Sequence, residues 1–165
     1  MRNVISIWVQ NVPGVLSHVG GLLAARGYNV DSLTVGATDD PAFSRMTIVV
    51  DADADVMSQI ELQLQKLVTV VKTTNLAGTP HVERELALVS VGVSAGQRTG
   101  VLELVEIFRG SVVDVSENSL LVEISGSVEK IDGFLKALRP YPILNATRSG
   151  CIAAPRGVTD DRDDV

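Results

Sequence analysis

The chain has 165 residues, of which 45% are hydrophobic and 21% are charged, and its formal net charge at pH 7 is -6. This composition is typical of a globular protein with one domain or two small ones, and it excludes disorder as the main state. The acidic balance and the lack of a basic cluster argue against nucleic acid as a partner.

The chain contains a single cysteine, Cys151, which excludes an internal disulfide and any multi-cysteine metal site and fits a reducing cytosol. The sequence begins with a short apolar run ending at Val9, which is too brief to span a bilayer and lacks a signal-peptide cleavage site. We therefore expect a cytoplasmic protein that does not associate with a membrane.

The first half of the chain predicts the order strand, helix, strand, strand, helix, strand. Alternation from Val4 to Val9 predicts a strand whose odd residues face the helices. Helical spacing of apolar residues predicts a first helix that closes on Arg26-Gly27, and Asp53 or Asp55 is expected to cap a second. The further strands are predicted over residues 28–35, 45–50 and 68–74.

The pattern restarts at Arg84 after a glycine- and proline-containing stretch. Strands are predicted over residues 86–93, 112–115, 120–124 and 143–147, and the third helix closes on Arg109-Gly110 as the first closes on Arg26-Gly27. We predict an α+β protein with two tandem ferredoxin-like βαββαβ domains. The expected boundaries are a first domain at 1–76, a linker at 77–83, a second domain at 84–154, and an acidic, disordered tail at 155–165.

The sequence contains no recognisable catalytic or metal-binding set. His18 lies in the first helix and His81 in the linker, and neither has a second histidine or a cysteine at ligand spacing. Helix capping and solvation explain the alternating aspartates from Asp51 to Asp55. We expect a protein without enzymatic activity, metal or cofactor of its own.

The turn from Asn11 to Leu16 is the candidate binding site. Pro13-Gly14 ends the first strand, and the next residues begin a helix whose first N–H groups have no internal partner, so a carboxylate can bind there. We expect the second strand to run back beside the first, so that Asn29 approaches a subunit boundary near Asn11. The two amides and the free N–H groups would then hold an amino acid, and nearby valines and leucines its aliphatic side chain. The alternative is a plain strand-to-helix connector.

Two further features distinguish the first half. Gly20-Gly21 costs about 1 kcal/mol per glycine relative to alanine inside a helix. Close approach of a second helix, for example one from a second subunit, would offset this cost. A tolerated weak point is the alternative. The second half lacks the Pro-Gly turn, which indicates that the first domain binds the small molecule and the second a protein, unless the chain simply contains two copies of a stable fold.

These motifs resemble those of a known family. Asn11-x-Pro-Gly-Val-Leu, followed by residues 26–35 and 44–48, resembles the small regulatory subunit of acetolactate synthase, also called acetohydroxyacid synthase, whose N-terminal part is an ACT domain. The likeness continues through residues 81–86, 106–110, 114–115 and 148–150. Trp8, residues 151–155 and the acidic tail depart from the family pattern.

The resemblance implies a regulatory subunit of branched-chain amino acid biosynthesis without an active site of its own. Its partner is then the catalytic subunit, which carries thiamine diphosphate, magnesium and FAD, and which this chain activates and makes sensitive to valine. In the family, ACT domains pair as homodimers and bind valine at their interface, at positions that match Asn11, Gly14, Val15 and Asn29.

The resemblance also implies a contact region for the catalytic subunit, at Thr38, Asp39, Asp40 and Arg45. The alternative function is a stand-alone ACT-type amino-acid sensor that controls transcription or another enzyme. A small enzyme is a third hypothesis, with little in the sequence to favour it.

Overall fold

The computed structural model describes residues 1–94 and 96–157. This part of the chain separates into two compact units: unit 1 holds Met1–Val82 with the described residues from Cys151 onward, and unit 2 holds Glu83–Gly150. Each unit has the order strand, helix, strand, strand, helix, strand, which confirms the predicted α+β class with two ferredoxin-like βαββαβ units. Most of the predicted disordered tail, residues 158–165, lies outside the described residues.

Unit 1 is built on an antiparallel sheet with the strand order β2-β3-β1-β4. Its helices cover the sheet face that carries Ile5, Ile7 and Val9, as the alternation of the first strand predicted. The elements are β1 (Arg2–Gln10), α1 (Val15–Ala25), β2 (Val30–Ala37), β3 (Phe43–Asp51), α2 (Ala54–Leu64) and β4 (Val70–Asn75).

The cap of α2 is Asp53, one of the two candidates from the sequence. Its carboxylate accepts a hydrogen bond of 2.9 Å from the N–H of Val56, while Asp55 lies in the first turn. This bond satisfies one of the helix-start donors that have no partner within the helix.

Unit 2 repeats the arrangement, with the strand order β6-β7-β5-β8. Alternate residues of β5, Ala87, Val89 and Val91, pack with Val101 of α3 and Phe134 of α4 in a separate core. The elements are β5 (His81–Gly92), α3 (Arg98–Ile107), β6 (Ser111–Val115), β7 (Ser119–Gly126), α4 (Val128–Ala137) and β8 (Ile143–Arg148).

The structure differs from the expected boundaries on both sides of unit 2. Residues 81–83, expected in a linker, begin β5, and a further strand, β9, covers Ile152–Pro155. Residues 151–154, expected in the second domain, belong to unit 1, because Cys151 and Ala153 join a buried cluster on its sheet. The second difference arises from contacts between residues that are far apart in sequence.

The ends of α1 and α3, which the sequence predicted to match, are offset by one residue. Gly27 has the left-handed φ of 71° after α1, whereas Arg109 has a φ of 52° after α3, and Gly110 follows it. A Cβ at Gly110 would lie 2.9 Å from the backbone oxygen of Glu123. Glycine is therefore required at residue 110 by the neighbouring strand, and the left-handed position is occupied by arginine.

We predict opposite effects for substitutions at these neighbouring residues. Gly110→Ala should lower the free energy of unfolding by about 1–3 kcal/mol, because the added methyl group meets a backbone atom that cannot rotate away. Arg109→Gly should be neutral or stabilising by up to about 1 kcal/mol, because it relieves a left-handed residue. Urea unfolding of both variants measures the difference, and equal midpoints would contradict the close approach at Gly110.

Candidate functional site

The turn between β1 and α1 leaves the start of the helix open. Gly14 is the N-cap residue, with a left-handed φ of 87°, and no side chain caps the helix start. The N–H of His18 donates to the Gly14 carbonyl at 3.0 Å, which begins the helical hydrogen bonds. The first turn contains no acidic residue, so the positive end of the helix dipole is not compensated within that turn.

Apolar and imidazole groups surround this turn. Val12 and Leu16 expose 42% and 48% of their surface, and Val15 is buried in the core behind them. The imidazole of His18 lies 4.0 Å from the position that a Cβ of Gly14 would take. The sequence placed His18 in the first helix without a role in the site, although its spacing of four from Gly14 places it one helical turn further on.

Asn11 connects this turn to the hairpin loop between β2 and β3. Its Nδ2 donates to the Pro41 carbonyl at 3.0 Å, and its backbone N–H donates to the Ala42 carbonyl at 2.7 Å. The side-chain oxygen has no donor among the described residues, and it remains an acceptor for a ligand.

Asn29 lies at the other end of the same sheet, which corrects the expected course of β2. The strand β3 separates β1 from β2, and Val30 is opposite Val50, which is itself opposite Asn3. Asn29 therefore lies near the start of β1 and Asn11 follows its end, about 25 Å away at about 3.3 Å per residue. One copy of the chain does not bring the two asparagines together.

Around Asn29 the surface forms an open groove of about 590 Å³ within unit 1. The amide of Asn29 donates to the Asp31 carboxylate at 3.2 Å. The groove is also lined by Arg26, Tyr28 and Asp51, and by the apolar Val56 and Ile60.

The residues expected to contact the catalytic subunit fall into two places. Thr38, Asp39 and Asp40 lie in the hairpin loop, where the Thr38 hydroxyl donates to the Asp40 carbonyl at 2.9 Å and the Asp40 carboxylate accepts from the Ala42 N–H at 2.9 Å. Arg45 lies on β3 and donates to the Ser6 hydroxyl at 3.1 Å. The loop is thus held in shape by its own hydrogen bonds, while Arg45 belongs to the sheet face opposite the helices.

Trp8, a departure from the family pattern, packs on the same face as Arg45. Its ring centroid lies 4.8 Å from that of Phe43, and only 7% of the residue is exposed. The bulky indole is accommodated by this aromatic contact with the neighbouring strand.

The corresponding turn of unit 2 is filled by side chains. The Gln97 amide oxygen accepts from the Ser94 N–H and hydroxyl at 3.2 and 2.9 Å, and Arg98 donates to the Ser116 carbonyl at 3.0 Å. A Cβ at Gly100 would collide with the hydroxyl of Tyr141. The described part of this turn therefore has no left-handed glycine at the helix start comparable to Gly14.

An ion pair joins two of the family-like motifs inside unit 2. Glu85, which is 6% exposed, accepts from Arg148 Nε at 2.8 Å and Nη2 at 2.6 Å, and the exposed Asp132 accepts from Nη1 at 2.7 Å. The hydrogen bonds that Arg148 donates to the Glu85 carboxylate are the main reason that the pKa of Arg148 is raised above its ordinary value. Ser149 extends the contact, because its N–H donates to the Leu86 carbonyl and its hydroxyl accepts from the Leu86 N–H. The sequence showed these motifs without indicating that they meet.

Residues 1–94 and 96–157 are the part of the chain that the structure describes. No group of three or more histidine, cysteine, aspartate or glutamate side chains is placed there to hold a metal ion. None of the helices in this part has the length and apolarity needed to cross a membrane.

The fold and the open helix start of unit 1 are those of an ACT-type domain, and comparison with known proteins agrees. The family model for the acetohydroxyacid synthase (AHAS) small subunit-like ACT domain matches residues 5–72, and the model for the small subunit of acetolactate synthase matches residues 84–157. The class is therefore that of proteins with an N-terminal ACT domain followed by a second small-subunit domain.

Individual relatives define the family. The acetolactate synthase small subunit of Haemophilus influenzae is 44% identical over 158 residues, which cover 95% of this chain and 97% of that protein. The probable small subunit of Archaeoglobus fulgidus is 41% identical over 157 residues, with 95% and 98% covered. The crystal structure of the small subunit from Thermotoga maritima superposes with a TM-score of 0.89 at 38% identity and covers 96% of this chain and 99% of that one. The chain belongs to the acetolactate synthase small subunit family, which supports a regulatory role in branched-chain amino acid synthesis.

We predict that the Glu85–Arg148 pair anchors unit 2. Arg148→Met should lower the free energy of unfolding by about 3 kcal/mol, because it leaves the buried Glu85 carboxylate without its partner. Asp132→Asn, which neutralises the exposed carboxylate bonded to the same guanidinium, should lower the free energy of unfolding by less than about 1 kcal/mol. Thermal and urea unfolding of both variants check this, and equal losses of stability would be inconsistent with a dominant role for Glu85.

Proposed function

We propose that this chain is the regulatory subunit of an acetolactate synthase, which raises the activity of the catalytic subunit and makes it sensitive to feedback inhibition by valine. The observation that carries the proposal is the open helix start at Gly14, directly beside an asparagine that holds the β2–β3 loop. Catalysis, with thiamine diphosphate, magnesium and FAD, belongs to the partner subunit in this proposal, and this chain supplies regulation.

The turn offers complementary groups for each part of an aliphatic amino acid. The N–H of Val15 donates to the Val12 carbonyl at 3.4 Å, and the next N–H groups of the first turn, together with the helix dipole, attract the carboxylate. The side-chain oxygen of Asn11 accepts from the ammonium group. The exposed side chains of Val12 and Leu16 provide apolar surface for the branched side chain.

Asn29 completes this site only from a second copy of the chain. The strand β2 is at the edge of the described sheet and has a free side for pairing. If two copies pair antiparallel through β2 about a twofold axis, the start of β2 in one copy lies beside its end in the other. Since β2 ends at the same end of the sheet as β1, Asn29 of the second copy lies at the end that carries Asn11 and Gly14.

The surface next to β2 also fits a homodimer interface. The helix α1 has no acidic or basic residue other than His18 over its length, and no described atom outside the helix backbone lies within 4 Å of a Cβ built on Gly20 or Gly21. Leu16 on α1 and Val35 on β2 are both about half exposed. A second copy that packs against α1 would offset the conformational cost of the glycines.

The two hydrogen bonds from Asn11 to the β2–β3 loop provide a physical route for regulation. The loop contains Thr38, Asp39 and Asp40, which we propose as contacts for the catalytic subunit together with Arg45. A ligand that engages Asn11 differently in two loop arrangements shifts the population of those arrangements, and thereby the activity of the bound catalytic subunit.

The test of the function is a valine titration of catalytic activity after reconstitution of this chain with its catalytic subunit. We expect activation without valine and inhibition as valine is added. For Gly14→Asp, the valine concentration that gives half-inhibition should rise about tenfold or more, because the new carboxylate enters an anion site. Gly78→Asp is the matched control, since Gly78 has a similar φ of 75° in a turn elsewhere in unit 1. Equal valine responses of both variants would refute the site, and valine binding without activation would favour the stand-alone sensor.

The dimer is tested by a charge on α1. Gly20→Glu should weaken dimerisation about 100-fold or more, because two carboxylates lose hydration beside each other in an uncharged interface. Ser58→Glu is the control, because it adds the same charge on the exposed side of α2, away from the proposed interface. Sedimentation velocity over a concentration series measures both, and a Gly20→Glu protein that dimerises like the control would exclude this interface.

A further inference from the structure

The strap, which is the segment Cys151–Pro155, covers the sheet face of unit 1 opposite the helices. The chain reaches it after completing unit 2, and the segment belongs to unit 1. Cys151 and Ala153 are 2% and 7% exposed and form a buried cluster with Val4, Val49 and Leu76. The N–H of Arg156 donates to the Pro80 carbonyl at 2.8 Å and holds the end of the strap.

Hydrogen bonds connect the strap to β2. The Cys151 N–H donates to the Ser32 hydroxyl at 3.0 Å, and the Thr34 hydroxyl donates to the Cys151 carbonyl. These two side chains share one face of β2, and Leu33 between them packs into the core on the other face. The backbone of one strap residue is thus bound by two consecutive outward-facing side chains of β2.

This attachment falls at a weak point of β2. The register of its pairing with β3 is interrupted between Val30 and Ser32. Asn29 immediately precedes the interruption. Ser32 and Thr34 are therefore the first regularly paired outward-facing residues after Asn29, and the strap binds them directly after the interruption.

We propose that the strap is a latch on β2, the strand that begins directly after Asn29. Docking of the strap on Ser32 and Thr34 and occupancy of the effector site stabilise each other. The inference rests on the proposed function, because it takes Asn29 as an effector contact. A ligand that fixes Asn29 reduces the motion of β2 and holds the two hydroxyl groups in place for Cys151. Linkage requires the converse, so a docked strap tightens effector binding by the same factor.

Cys151 is itself the reporter for this latch, because it is the single cysteine of the chain and its side chain is buried when the strap is docked. The experiment measures the rate at which an aromatic disulfide reagent labels the thiol of the full-length protein. Ser32→Ala with Thr34→Val should raise the labelling rate about tenfold, because both hydrogen bonds to the strap are lost while side-chain size is nearly kept. Ser58→Ala, which removes an exposed hydroxyl from α2, should leave the rate unchanged.

Valine then tests the coupling. Saturating valine should slow the labelling of the unaltered protein at least fivefold. Ala153→Asp, which forces a carboxylate into the buried cluster and so expels the strap, should weaken valine binding, measured by calorimetry, by the same factor. Circular dichroism checks that this variant retains its helices. If the helices are lost, valine binding is measured on the variant with Ser32→Ala and Thr34→Val instead.

The outcomes separate the two proposals. Valine that binds by calorimetry but leaves the labelling rate unchanged would overturn the latch and leave the effector site intact. A labelling rate that is unaffected by the Ser32 and Thr34 substitutions would also overturn the latch. Absence of any heat with valine would refute the proposed function, and the latch with it.

Discussion

The burial of β1 on both faces is the constraint on which unit 1 depends. Ile5, Ile7 and Val9 are fully buried beneath the helices, while Val4 packs on the other face with residues of the strap. The strand also has hydrogen-bonded neighbours on both sides, β3 and β4. Since nearly every side chain and backbone group of β1 has a defined partner, the chain leaves the sheet at one fixed point, and there the open helix start forms.

The candidate effector site is a consequence of how strand ends are arranged in this fold. Asn11 and Gly14 follow the end of β1, and the amide and backbone N–H of Asn11 are bonded to the loop that follows β2. In the proposed function, an amino acid bound at this turn would act on the hairpin without any chemical step. The dipole of α1, the N–H groups of its first turn and one amide oxygen suit recognition of a zwitterion, which agrees with the regulatory role of the family.

The two units show how one topology yields different sites. Both have a strand followed by a helix at the equivalent position, but unit 1 has a left-handed glycine at the helix start, whereas unit 2 has Gln97 in a right-handed conformation with its side chain bonded to Ser94. The aromatic Tyr141 also lies against Gly100 of α3. A shared fold accordingly gives no reason to expect shared ligands, and the distinction lies in a few side chains at one turn.

The sequence by itself determined the order of the elements, the faces of β1, the capping role of an aspartate before α2, and the turn at Pro13-Gly14. These properties depend on residues within one or two turns of each other, or on a period of two or 3.6, and so can be inferred from local spacing. The motifs also carried the resemblance to the family.

Tertiary structure alone decided that Asn29 lies at the far end of the sheet, that residues 81–83 continue as a strand, and that residues 151–155 return to unit 1. It also decided which residue after α3 is left-handed, because the neighbouring strand leaves no room for a side chain at Gly110. Each of these depends on strand register or on contacts between distant residues, which local spacing does not encode.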